Sequence, residues 1–142
     1  MSLITRAAVR EHIFKIIFGS EFATGETIEK RSELYLNNLF DEDGEIIALD
    51  MEDRDHISDK AGKIWSKKEE IDAVISKYSK GWSVSRIGKA ELAILRVAVY
   101  EILFDDDIPD NVAINEAVEL AKKYGEADAP AFINGILAAV KS

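Results

Sequence analysis

The chain has 142 residues, 47% hydrophobic and 32% charged, with two prolines, no cysteine and a formal net charge of −9. That length suits one domain, spanning residues 1–142, able to bury roughly 68–70% of its unfolded surface; without cysteine, neither a disulfide framework nor a thiolate metal site is expected. The opening MSLITRAAVREH lacks the uninterrupted apolar core of a secretory leader and no apolar run approaches the ~20 residues of a membrane span, so a soluble cytoplasmic protein is expected.

TRAAVREHIFKIIFGSEF predicts a first helix, capped by Thr5, with Val9, Ile13, Ile16 and Ile17 on its apolar stripe. Arg6 and Arg10 stand one turn apart in line with Ile13 and Ile17, so the stripe turns from apolar to basic toward the N-terminus. That end is expected to overhang the core and to present two forked guanidinium groups to solvent, a geometry suited to phosphate oxygens, with Lys15 on the opposite side. On residue chemistry alone, this is either a contact for RNA or an acidic partner, or an ordinary solvated helix start.

TIEKRSELYLNNLF predicts a second helix burying Ile28, Leu34, Leu36 and Leu39, and DEDGEIIALDMED, with Gly44 and dense acid, reads as the longest loop. Residues 21–59 hold thirteen acidic side chains against three basic ones. This segment reads as a solvating face, and the strongly negative overall charge does not exclude an anionic partner, because charge acts over a Debye length of about 8–10 Å. Next, Ile57, Ile64, Ile71 and Tyr78 recur every seven residues, with Ala61, Trp65 and Ile75 between them, predicting a long helix interrupted near Ser66.

Gly81 and Gly88 bracket a short segment, after which Ala90 to Phe104 is apolar almost all round, as in a helix buried at the middle of a small bundle. Arg96, one turn before Tyr100, is expected to pair with a neighbouring acid, since a buried guanidinium is rarely left alone. Beyond Pro109, VAINEAVELAKKYG predicts a helix that buries Ile114, Ala117, Val118 and Ala121 and ends at Gly125, with Asn115 in its first turn serving backbone or packing. After Pro130, AFINGILAAV predicts a last helix with Phe132, Ile136 and Val140 in line, Asn134 and Gly135 marking a place where another helix approaches. With no strand alternation and no internal repeat, the fold class is all-α.

Catalytic signatures are absent. His12 and His56 belong to no ligand pattern, and no phosphate-cradling or nucleophile-elbow motif occurs. Asp105–Asp107 lack the spacing of a calcium loop, and Glu116 with Glu119 have no nucleophile or base beside them, so both groups read as solvated helix surface. No metal, cofactor or enzymatic activity is expected.

The run WSVSRIGKAELAILRVAVYEILFDDDIPDNVAINEAVELAKKYGEADAPAFINGILAAV resembles the C-terminal signature of the NusB family of bacterial transcription antitermination factors, with TRAAVREHIFKIIF matching the family's arginine-rich first helix more thinly. The resemblance implies an all-helical fold of about seven helices in two small bundles sharing a buried central helix. It implies a non-enzymatic adaptor that binds boxA RNA with the ribosomal protein NusE and helps RNA polymerase resist termination on ribosomal RNA operons. By the same resemblance RNA meets Arg6, Arg10, Tyr124, Asp128 and Phe132, while Phe18 and Glu91 face NusE. Ala7 and Ala8 stand where the family often has more arginine, so RNA binding is expected to be weak alone and stronger with NusE. The domain also resembles the N-terminal part of some ribosomal-RNA cytosine methyltransferases, for whose catalytic domain the chain has no room. A different reading is a protein-binding module or homodimer that uses Phe14, Phe18 and Phe22 and leaves the arginines idle.

Overall fold

A computed structural model describes residues 4–142, which form seven α-helices, one short 3₁₀ turn and no strand beyond an isolated bridge. The chain divides into two compact units, one ending at Trp65 and the other comprising Ser66–Ser142.

In the first unit, helix α1 (Arg6–Ser20) starts where Thr5 Oγ1 accepts the Ala8 N–H at 3.0 Å. Ile13, Phe14, Ile16 and Ile17 are buried, Val9 less so. The arginine expectation changes here: Arg6 is exposed, but Arg10 is only 6% exposed and does not reach into solvent. Being in line with Ile13 and Ile17 placed Arg10 on the burying face, and the stripe stays covered one turn further than its chemistry suggested. Phe14 is likewise buried, so it does not join a surface with Phe18 and Phe22; the three rings run from core to solvent, with centroids 6.1 and 5.2 Å apart.

Helix α2 (Ile28–Asn37) is capped by Thr27, whose hydroxyl accepts the Lys30 N–H at 3.1 Å. Its buried row is Ile28, Ser32 and Leu36, with Leu39 following, whereas Leu34 is exposed. Two residues before Leu36, Leu34 falls on the other side of the helix, and a serine fills the inward position. Tyr35 joins α2 to α1 through a 2.7 Å hydrogen bond with His12 Nδ1. Helix α3 (Met51–Ser66) begins where Asp50 Oδ1 accepts the Asp53 N–H, and Arg54 reaches back to the Leu36 carbonyl at 3.0 Å and Asn37 Oδ1 at 2.7 Å, fastening both ends of the intervening loop. The expected interruption falls at Lys67, before α4 (Lys68–Tyr78).

In the second unit, α5 (Lys89–Phe104) is buried at every position from Leu92 to Glu101 and packs against α4, α6 (Asp110–Tyr124) and α7 (Ala129–Lys141). Arg96, 2% exposed, finds its acid in α4: Nε and Nη2 donate to the two Asp72 carboxylate oxygens, each at 2.9 Å, in the bidentate fork that suits a buried guanidinium. Helix α6 starts at Asp110, earlier than its apolar pattern shows, so Asn115 lies in the second turn, is exposed and does not cap. At that end the Pro109 carbonyl accepts from both Val112 and Ala113, opening the helix without a side-chain cap. Asn134 and Gly135 are also exposed, and a Cβ built on Gly135 would have nothing within 4 Å, so the expected helix approach does not occur among the described residues.

Candidate functional site

Two turns of the second unit build a concavity. Between α4 and α5, Lys80 (φ +54°) and Gly81 (φ +87°) take left-handed backbone, and the buried Ser79 hydroxyl donates to the Trp82 carbonyl at 2.6 Å. This tight reversal turns the Trp82 indole outward, 52% exposed. The 3₁₀ turn Val84–Arg86 then sets the Arg86 guanidinium 5.8 Å from the indole centroid.

The facing wall is the turn from α6 to α7. Gly125 sits there for space and not for an unusual dihedral: its backbone is extended, but a Cβ would lie 2.6 Å from the Ala129 methyl and 2.9 Å from the Ala121 carbonyl oxygen. The closeness this allows lets Glu91, in the first turn of α5, accept the Glu126 N–H through Oε2 at 3.2 Å. Phe132, one turn into α7 and half-buried, then stands 6.3 Å from Trp82, ring centroid to centroid. Between these walls is a cleft of about 580 Å³.

The cleft gathers three of the residues singled out in the sequence, Glu91, Asp128 and Phe132. Glu91 already has an internal duty in holding the turn, while Asp128, at the N-cap of α7, makes no side-chain capping bond. Tyr124 ends α6 with Lys123 Nζ 5.4 Å from its ring and does not line the cleft. Arg6, Arg10 and Phe18 belong to the first unit. Sequence reading passed over Trp82 and Arg86; the available signal was an indole and a cation four residues apart in a stretch bounded by two glycines.

The acidic groups of Asp105 and Glu119 have ordinary local partners. Asp105 Oδ1 accepts the Asp107 N–H at 3.1 Å, and Glu119 pairs with Lys122 on the surface at 3.1 Å. Burial, aided by Lys15 and opposed by Glu11, lowers the His12 pKa below its ordinary 6.5. Among the described residues no group of three potential ligands could hold a metal, and no helix is long and apolar enough to cross a membrane.

Flat aromatic faces with a cation on one side and carboxylates at the rim receive planar, polar-edged groups, and the class so defined is an all-helical binding module. The NusB family profile matches residues 7–142, and the chain belongs to the NusB family. It is 45% identical over 135 residues to the transcription antitermination protein NusB of Agathobacter rectalis, covering 95% of this chain and 98% of that one. Its fold is similar to that of T. maritima NusB, with TM-score 0.83, 34% identity and coverage of 97% and 91% of the two chains. A NusB chain crystallised with NusE and double-stranded RNA has the same fold at TM-score 0.76 and 24% identity, over 96% and 95% of the two chains. Transcription antitermination, without catalysis, is therefore the function of this chain.

Proposed function

We propose that the chain binds single-stranded boxA-type RNA together with NusE, within the antitermination complex on RNA polymerase, with residues 1–142 serving as one RNA-binding domain. The observation that carries this reading is the open Trp82–Phe132 cleft beside Asp128. Sequence-specific RNA recognition works mainly on unstacked bases, which stack on aromatic or guanidinium planes and offer their edges to polar groups. Trp82, Arg86 and Phe132 supply the planes and Asp128 an acceptor. Arg6, exposed at the start of α1, supplies a phosphate contact; Arg10, being buried, contributes through the packing of α1.

Glu91 gives the partner a way to act on RNA. The carboxylate that the family resemblance turns toward NusE is also bonded to the turn that carries Asp128 and Phe132. A protein docking there favours one arrangement of the turn, and RNA and NusE then raise each other's affinity by an equal factor, as linkage requires.

The test is titration of boxA-type single-stranded RNA, with and without NusE, at fixed salt. Trp82→Ala and Phe132→Ala should each weaken RNA binding by about 1–3 kcal/mol, and Arg6→Ala should flatten the slope of log K against log salt by about 0.7. The half-exposed Trp82 should be replaced with little change in melting temperature, which separates lost stacking from lost folding. Unchanged RNA affinity in Trp82→Ala and Phe132→Ala would reject the cleft as the RNA site.

A further inference from the structure

Away from the cleft, the connection between α2 and α3 displays apolar side chains. Phe40 and Ile46 oppose each other across the isolated antiparallel bridge and are 56% and 76% exposed; Met51, at the start of α3, is exposed as well. Directly opposed residues of an antiparallel pair project to the same face, so Phe40 and Ile46 form one patch. Hydrogen bonds of 2.9 Å from the Ile47 N–H to the Leu39 carbonyl and from the Asp41 N–H to the Glu45 carbonyl flank the bridge. Phe40 and Ile46 are thus the pair that does not bond to itself, and their own N–H and C=O groups point outward along the two edges of the ribbon. Its tip is held in shape, because Asp41 Oδ1 accepts from both Asp43 and Glu45 N–H at 2.9 Å and Gly44 takes φ +81°.

We propose that this ribbon is a docking edge for an extended, basic segment of a partner protein. The segment adds alongside the ribbon by main-chain hydrogen bonds, sets apolar side chains on Phe40 and Ile46, and brings Lys or Arg against Asp41, Glu42, Asp43 and Glu45. Charge selects this occupant. Residues 32–53 contain eight carboxylates and no Lys or Arg, which repels RNA and equally repels a second copy carrying the same eight. Natural edges are commonly guarded by charge against pairing with their own kind, and acid guards this one against every strand except a basic one.

The test is a titration of the ¹⁵N-labelled full chain with the blocked peptide KVKVKVK, beside EVEVEVE and a single-stranded RNA. The basic peptide should give saturable shifts at residues 39–47, weakened by salt and at least tenfold weaker in the Phe40→Ser, Ile46→Ser double variant. Asp43→Lys, a change at an exposed turn position, should weaken the peptide severalfold and serves if the double variant does not fold. Absence of shifts at residues 39–47, an equal response to EVEVEVE or to RNA, or unchanged affinity in the variants would overturn the proposal. So would a concentration-dependent dimer dissolved by the same substitutions, which would assign the patch to a second copy.

Discussion

The two units solve the same problem, burying helices, with different materials. In the second, α5 is covered on all sides, and among its buried polar groups Arg96 has a bidentate partner in Asp72. In the first, each helix buries one stripe into which polar side chains intrude: Arg10, Ser20, Ser32, Asp53 and Lys60 are all buried. Ser32 Oγ and Arg31 Nε are moreover buried without a hydrogen-bond partner. An unsatisfied buried polar atom costs about 1–3 kcal/mol, so the first unit is the one built to yield, and the second is the frame on which the cleft is held.

The largest break in that contrast is Asp72→Ala. It leaves the guanidinium of Arg96 buried without its carboxylate, and a loss of about 3–5 kcal/mol is expected, read as a lower denaturant midpoint with hydrogen exchange in α5 quickened first. If exchange quickened in α1 and α2 instead, the second unit would not be the frame. Gly125→Ala acts on the same unit more gently. Its new methyl meets Ala129 and the Ala121 carbonyl, neither of which is a flexible chain end, and overpacking of this sort costs about 1–3 kcal/mol. Melting should register that cost, and RNA affinity should fall with it, because the displaced turn carries Asp128 and Phe132.

The smallest effect sharpens the other side of the comparison. The folded-state pKa of His12 lies below 6.5, so in the window between that lowered value and 6.5 the unfolded chain binds more protons than the folded one. Stability from this group is therefore complete above about pH 6.5 and is lost as pH falls through the window. The protection factors of amides in α1 and α2, which are corrected for the intrinsic slowing of exchange in acid, should fall on mild acidification, and His12→Gln should flatten that dependence. A pH response surviving the substitution would assign it to another group.

What sequence could show followed from what periodicity encodes. The helices, the break near Ser66, the Thr5 cap and an acid for Arg96 were legible because a helix's repeat and a buried charge impose local demands. Arg10 and Leu34 were misjudged because periodicity names a face and not the distance to which a neighbour covers it. Asn115 lies a turn further in than its pattern suggests because α6 begins at Asp110, just after Pro109 and before its first apolar residue. The cleft was legible only in part: Asp128, Phe132 and Glu91 sit in motifs shared with the family, whereas Trp82 and Arg86 acquire meaning from a turn that sets them across from Phe132. No spacing along the chain announces that distance.

The division at Trp65 also orders events on the ribosome. All of α1 and α2, and α3 as far as Trp65, has been made before the first residue of the second unit, so the first unit can begin to close while the rest is still being polymerised. Helix α5, by contrast, emerges with apolar surface on every side, and its coverings α6 and α7 end only at Lys141. At 5–20 residues per second the stretch from Phe104 to Lys141 takes roughly 2–8 s to make. During that interval the most extensively buried helix of the chain has only α4 of its three coverings, and its remaining apolar faces are open to a chaperone.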